Sequence, residues 1–228
     1  VASLPVLEKI ITQGIEKKEQ NGILEIERRC LSTIVKMEQT GITFDNAQIE
    51  EIKRTLESKK EELKESIYKT AGLEFNINSP SQVADILFNK MQLNSFLKTK
   101  KGSFSTSELV LKKITDNPIG SLILEYREIE KLLSTYVRAI PEYVDKDKKI
   151  RSVFDQIGAV SGRFSSKNPN LQNIPKDPVQ DVNFRNLFVA QKNKVLVSFD
   201  YSQQELRILA AMAKEEELVQ AFSKDEDV

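Results

Sequence analysis

The chain has 228 residues, 39% hydrophobic and 30% charged, enough for one large domain or two small ones rich in surface helix. Lys+Arg and Asp+Glu balance at 34 each, so the net charge gives no global reason for a nucleic-acid partner, and any such claim rests on local patches. The lone Cys30 excludes an internal disulfide, and zero His removes the commonest metal ligand and general base, leaving carboxylates and a hard ion such as Mg²⁺.

Ser3 with Pro5 predicts a helix start, and Leu7, Ile10, Ile11 and Ile15 follow at helical spacing until Gly22 breaks the run. A second helix is expected to end in a cap at Gly41. Ile23, Ile26, Cys30 and Ile34 share an apolar face on it, which predicts a buried packing thiol rather than a reactive one. Asp45 is expected to cap a long third helix that Gly72 ends. Its apolar stripe is narrow (Ile49, Ile52, Leu56, Leu63, Ile67), with Lys and Glu at i,i+4 spacing around it. So thin a stripe predicts a helix packed on one side only. Asn78-Ser79-Pro80-Ser81 marks the start of a short helix through Met91.

Between Lys90 and Lys113, six lysines stand against one acid, Glu108. Within this stretch Lys101 to Ser107 is a small polar loop entering another helix. Composition alone favours a solvated loop. The sharper reading is a phosphate grip of lysines, hydroxyls and the N–H groups of a helix start. A further helix is expected from about Ser121 to Ile140, with Pro141 at its end. No segment is long and apolar enough for a membrane span and no signal peptide is visible, so a cytoplasmic location is the default expectation.

The character changes near Lys149. Short β-like stretches between Ile150 and Ser166 are interrupted by Gly158 and Gly162. The run Val195 to Phe199 predicts a buried strand ending in Asp200, followed by a helix from near Ser202 that turns Leu206, Leu209, Ala210 and Ala213 inward. The expected fold is a helical domain followed by the opening of an α+β domain.

Two segments suggest chemistry. In Phe199-Asp200-Tyr201-Ser202-Gln203-Gln204-Glu205-Leu206-Arg207, a carboxylate leaves the end of a strand, a rigid way to hold a divalent cation. The plainer reading is a turn Asp, with Ser202 and Glu205 forming a capping box, and spacing alone favours it. Upstream, Ser161 to Ser166 and Asn168 to Pro175 are dense in donors and amides between prolines. A surface loop has similar composition. Arg, Asn and Gln on a fixed scaffold could also donate to the minor-groove acceptors that every base pair presents.

These segments resemble family A DNA polymerases, the bacterial DNA polymerase I (Klenow-type) group. Asp200 to Arg207 is similar to the first palm motif, usually DYSQIELR, and Ser161 to Pro175 to the TGRLSS…PNLQNIP block, in the family's order and spacing. Lys98 to Leu111 resembles the thumb tip. Leu124 to Arg127, continuing through Lys131, Ser134, Thr135 and Tyr136, resembles the thumb helix leading to the palm. Met37 to Ile42 resembles the segment that joins the exonuclease-like domain to the thumb.

The resemblance implies an incomplete right-hand polymerase, mostly α in the thumb and α+β in the partial palm. Residues 1–21 would end an exonuclease-like domain, 22–148 form the thumb, and 149–228 open the palm. It implies template-directed transfer of dNTPs to a primer 3′-hydroxyl by two Mg²⁺ ions, with primer-template DNA and dNTP as partners. Asp200 would be one of two metal-holding palm aspartates, with the Tyr201 carbonyl near the second metal. Glu205 would be the steric gate against a 2′-hydroxyl, and Ser202, Gln203 and Arg207 would line or support that nucleotide pocket. Arg163, Ser165, Asn170 and Gln172 would face the minor groove. Lys98, Lys100, Lys101, Ser103, Lys131, Ser134 and Thr135 would meet phosphates.

The chain departs from the family at Gln204, where Ile is usual, and at Lys176-Asp177, where a basic second residue is common. The family's second palm aspartate and fingers would follow Val228, so the expectation is a piece of a longer polymerase, excised or split, inactive alone, with a second chain as one candidate source of the rest. The alternatives are a non-catalytic duplex-DNA-binding module with a vestigial palm and, more weakly, a single-subunit RNA polymerase, against which Glu205 as gate argues.

Overall fold

A computed structural model describes residues 21–94, 97–99, 102, 104–114, 116–224 and 226. The helix expected over Leu7 to Ile15 and the candidate phosphate contacts Lys100, Lys101 and Ser103 lie outside the described residues. Two compact units emerge, Val1–Val189 and Ala190–Val228, so the first unit runs on well past the change of character at Lys149.

In the first unit, α1 (Asn21–Thr40) carries Gly22 near its start, and the run that Gly22 is expected to break lies outside the described residues. It ends at Gly41, whose φ of +59° suits glycine and whose N–H donates to the Met37 carbonyl at 3.0 Å. A Cβ there would lie 2.7 Å from the Ile150 carbonyl oxygen. Lys149 Nζ and Arg151 Nε donate to the carbonyls of Thr40 and Gln39, cations where the helix dipole favours them. The predicted packing face of α1 is corrected. Ile23 and Ile26 are each 63% exposed, Cys30 is half-buried, and only Ile34 is buried. The helix also meets the rest of its unit through polar groups: the Glu38 carboxylate accepts from the Phe154 N–H, and the Glu27 backbone carbonyl accepts from the Gln156 amide.

β1 (Ile42–Phe44) leads into α2 (Asn46–Ala71). Asp45 caps α2 by accepting from the N–H groups of Ala47 and Gln48, and Gly72 closes it at φ +75°. Ile49, Leu56, Leu63 and Ile67 are buried as the narrow stripe requires. Ser79 caps α3 (Pro80–Ala84), which runs into a π-helical turn, Asp85–Lys90. After α4 (Glu108–Leu111) comes α5 (Ile119–Leu132), continued by a π-helical turn, Leu133–Arg138. That turn ends at Arg138, close to the end expected at Pro141, and Pro141 sits in a 3₁₀ turn, Ile140–Tyr143. α2 packs on α5, with Ile123, Ile129 and Leu133 fully buried against the α2 stripe. Lys59–Glu125 at 3.1 Å and Arg138–Glu57 at 3.7 Å line the outer edge of this pair, partly exposed ion pairs of small individual weight.

β2 (Lys149–Ile150) and β5 (Phe188–Val189) flank β1 in an antiparallel sheet of order β2-β1-β5. Thr43 faces Lys149 on one side and Val189 on the other. This sheet binds residues after Lys149 into the helical unit. β3 (Val153–Asp155) and β4 (Ser165–Lys167) form a separate hairpin.

In the second unit, α6 (Gln204–Ala213) packs on α7 (Glu216–Ser223). The strand expected over Val195 to Phe199 does not form. Val195, Leu196, Val197 and Phe199 are 58–93% exposed. An apolar run becomes a strand only where another edge accepts its N–H and C=O groups, and no described strand pairs with it. The inward set on α6 is also corrected: Ala210 is buried, while Leu206 and Leu209 are 44% and 57% exposed. One short neighbouring helix covers only a narrow stripe.

Candidate functional site

Residues 161–175 are held from beneath by three hydroxyls. Ser152 Oγ and Ser166 Oγ both donate to the Pro169 carbonyl, at 2.9 and 3.2 Å. Ser166 Oγ also accepts from the Leu171 N–H. The Tyr136 hydroxyl donates to the Asn173 carbonyl at 2.8 Å. Ser152, Ser166 and Tyr136 are all buried. The β3–β4 hairpin supports the same block: Lys167 donates to Asp155 at 2.7 Å and holds that carboxyl below its ordinary range, aided by the Ile157 N–H.

On this base, Arg163, Asn170 and Gln172 are exposed, and Ser165 is half-buried on β4. Asn170 caps the 3₁₀ turn Leu171–Asn173 by accepting from the Gln172 N–H. Gln172 Nε2 donates to the Phe164 carbonyl at 2.7 Å. That leaves Gln172 with one further amide N–H and Asn170 with its amide group. Both are donors, the type that minor-groove N3 and O2 acceptors require.

Lys131, Ser134 and Thr135 are exposed on one side of the helix formed by α5 and its π turn, opposite buried Leu132, Leu133, Tyr136 and Val137. Ser134 Oγ donates to the Glu130 carbonyl at 2.8 Å, so its lone pairs alone face outward. Beside Lys131 lies a polar cavity of about 530 Å³, also lined by Thr106, Glu108, Lys112 and Arg127. Arg127 enters it half-buried and donates to the Thr106 carbonyl and hydroxyl; burial pushes its guanidinium down from the usual value. Lys98 is placed over the Phe104 ring, 5.5 Å from its centroid, and Lys112 pairs with Glu108 at 2.6 Å. α4 is only four residues, a single turn.

In the second unit, Asp200 and Tyr201 are exposed and precede the turn at Ser202-Gln203. Glu205 falls in the first turn of α6, at the second helical position and one short of the third, where a capping box places its acid. The N-cap is Gln203, at φ +50°, and it makes no side-chain cap hydrogen bond. Arg207 braces the start of α6: its Nε donates to the Ser202 carbonyl at 2.9 Å, and Nη1 to the Phe222 carbonyl at 3.1 Å. Its guanidinium lies over the Phe222 ring at 4.9 Å. Asp200 offers the hard oxygen donors that Mg²⁺ takes. Among the described residues, however, no three or more His, Cys, Asp or Glu side chains gather as a metal site, so Asp200 fits Mg²⁺ as one ligand and not as a complete set.

Tyr136, Ser152 and Arg207 carry no function that the sequence assigns beyond family likeness, or none at all. Their role rests on partners that are distant in the chain or on contacts that composition does not encode.

A helical pair with exposed cations, and an anchored block with outward amides, suit a protein that grips a duplex without reading its sequence. The chain belongs to DNA polymerase family A, whose profile matches residues 46–228. It is 40% identical over 222 residues to DNA polymerase I of Lactococcus lactis subsp. cremoris, covering 97% of this chain and 25% of that protein. It is 37% identical over 232 residues to DNA polymerase I of Bacillus caldotenax, covering 100% of this chain and 26% of that one. The chain thus spans about a quarter of the length of these relatives. Among solved structures it is similar to the POL domain of Pol1 from M. smegmatis in complex with DNA primer-template and dNTP, with TM-score 0.84 and 29% identity over 94% of this chain and 38% of that one.

Proposed function

We propose that residues 22–148 are the thumb and 149–228 the first part of the palm of a DNA-directed DNA polymerase that adds dNTPs to a primer 3′-hydroxyl. The observation that carries this reading is the likeness, over 94% of the chain, to a polymerase domain bound to primer-template and dNTP. Lys98, Lys131 and Thr135 hold phosphates, and Ser134 joins them by turning its hydroxyl proton from the Glu130 carbonyl to a phosphate oxygen. Arg163, Asn170 and Gln172 probe the minor groove by shape rather than sequence. Asp200, with the Tyr201 carbonyl, contributes ligands to the Mg²⁺ pair, Glu205 walls off a 2′-hydroxyl, and Arg207 keeps Glu205's helix in place through Ser202. Bound Mg²⁺ would supply charge for the attacking hydroxyl and the leaving pyrophosphate. No helix among the described residues is long and apolar enough to cross a membrane, and a cytoplasmic DNA enzyme is the matching location.

A duplex-binding module is the second reading for these 228 residues on their own. It is favoured by the exposed Val195 to Phe199 run and by Asp200 standing outside any carboxylate cluster among the described residues. Both readings require duplex binding. In anisotropy titrations of the 228-residue chain, replacing Lys98 and Lys131 with Ala should weaken unrelated duplexes alike. The slope of log K against the logarithm of salt concentration should fall by about 0.9 for each phosphate that is no longer neutralised. An unchanged slope would leave these lysines as a solvated face. Catalysis separates the two readings, and it is tested in a chimera in which this chain replaces the matching segment of the Lactococcus relative.

A further inference from the structure

We propose that Tyr136 is a positioning residue that holds Gln172 in register with the phosphate-facing side of Tyr136's own helix. This rests on the reading of residues 161–175 as a minor-groove contact. The π-helical turn Leu133–Arg138 has two working faces. Ser134 and Thr135 point outward beside Lys131, while Tyr136 points inward and is 8% exposed. The Tyr136 ring packs on Phe184 with centroids 5.1 Å apart, which leaves its hydroxyl little freedom. That hydroxyl donates to the carbonyl of Asn173, 37 residues away in sequence.

Asn173 closes the 3₁₀ turn on which Gln172 is the middle residue. The other two hydroxyl anchors, from Ser152 and Ser166, grip the block at Pro169 and Leu171, on the side of the turn that leads into it. Tyr136 is therefore the anchor that comes from the helix, and it acts on the exit of the turn. Removing its hydroxyl leaves the Asn173 carbonyl without its donor, and the turn shifts to pair that carbonyl with water. Such a shift moves the Gln172 amide and leaves the charge of Lys131 where it was. Weaker engagement of base edges, with phosphate engagement intact, is the signature expected of this geometry.

The test uses the 228-residue chain and two duplexes of one sequence, one natural and one with 3-deazapurines, which lack the minor-groove N3 acceptor. Wild type should bind the 3-deaza duplex about fivefold more weakly. Tyr136→Phe keeps the ring on Phe184, and a thermal melt checks that it is folded. In this variant the discrimination should fall below about twofold, with the salt slope unchanged. Gln172→Ala should cost about fivefold on the natural duplex in wild type and little in the Tyr136→Phe background. Wild-type discrimination retained by folded Tyr136→Phe, or additive effects of the two substitutions, would overturn the proposal. No discrimination by wild type would overturn the minor-groove reading and this proposal with it. The two failures are therefore distinguishable.

Discussion

Asp200→Ala in the chimera is expected to abolish primer extension with dNTPs and rNTPs alike, a fall of at least about a thousandfold, or roughly 4 kcal/mol of transition-state stabilisation. The substitution removes carboxylate oxygens that we assign to the metal, and among the described residues no group of three or more His, Cys, Asp or Glu side chains could hold the ion in their place. Asp200 is exposed, so the fold has little to lose: stability should stay within about 0.5 kcal/mol of the parent. Duplex affinity should also persist, since the phosphate and minor-groove contacts that we propose lie on other residues. Loss of extension with intact melting and intact DNA binding is therefore the specific outcome. Extension within about tenfold of the parent would remove Asp200 from the metal.

Glu205→Ala is expected to change the choice of sugar. The ratio of kcat/KM for dNTP over rNTP should fall by about a hundredfold, roughly 2.7 kcal/mol, because trimming the carboxylate opens space beside C2′. The competing reading, in which Glu205 serves only as the third residue of a capping box, predicts a stability loss of about 0.5–2 kcal/mol and no change in sugar choice. Against that alternative, Gln203 and not Ser202 is the N-cap, which puts Glu205 at the second helical position instead of the third. Arg207 braces the first turn of α6 through Ser202 and Phe222. Equal ratios in parent and Glu205→Ala would end the gate assignment.

The features legible in the sequence are those written in local chemistry. Asp45 and Gly72 bound α2, Ser79-Pro80 opens α3 and Gly41 closes α1, because caps and left-handed glycines act within a few residues. The stripe from Ile49 to Ile67 correctly implies one buried face. The strand predicted at Val195 to Phe199 fails because a strand is a statement about a neighbour, and periodicity cannot supply one. The Cys30 face fails for a related reason: Ile23 and Ile26 have helical spacing, but spacing does not show what covers them.

In the candidate site, the crowding of amides and prolines from Asn168 to Pro175 marks an unusual loop. The bonds that hold it come from Ser152 and Tyr136, 17 and 37 residues from their acceptors, and nothing local announces them. The Lys90 to Lys113 stretch reads in sequence as an even field of cations. In the structure Lys98 lies on Phe104 and Lys112 on Glu108, partners that the linear charge count hides.

If the 228 residues are a working piece of a DNA polymerase, they must support nucleotide addition once the rest of the domain is restored. The decisive assay is primer extension on one labelled primer-template, run with the 228 residues alone and with the chimera. No extension is expected from the 228 residues, in which we assign one metal-holding aspartate, Asp200, and Mg²⁺-dependent extension with dNTPs is expected from the chimera. A chimera that folds and binds primer-template but adds no nucleotide, or robust extension by the 228 residues alone, would contradict this reading.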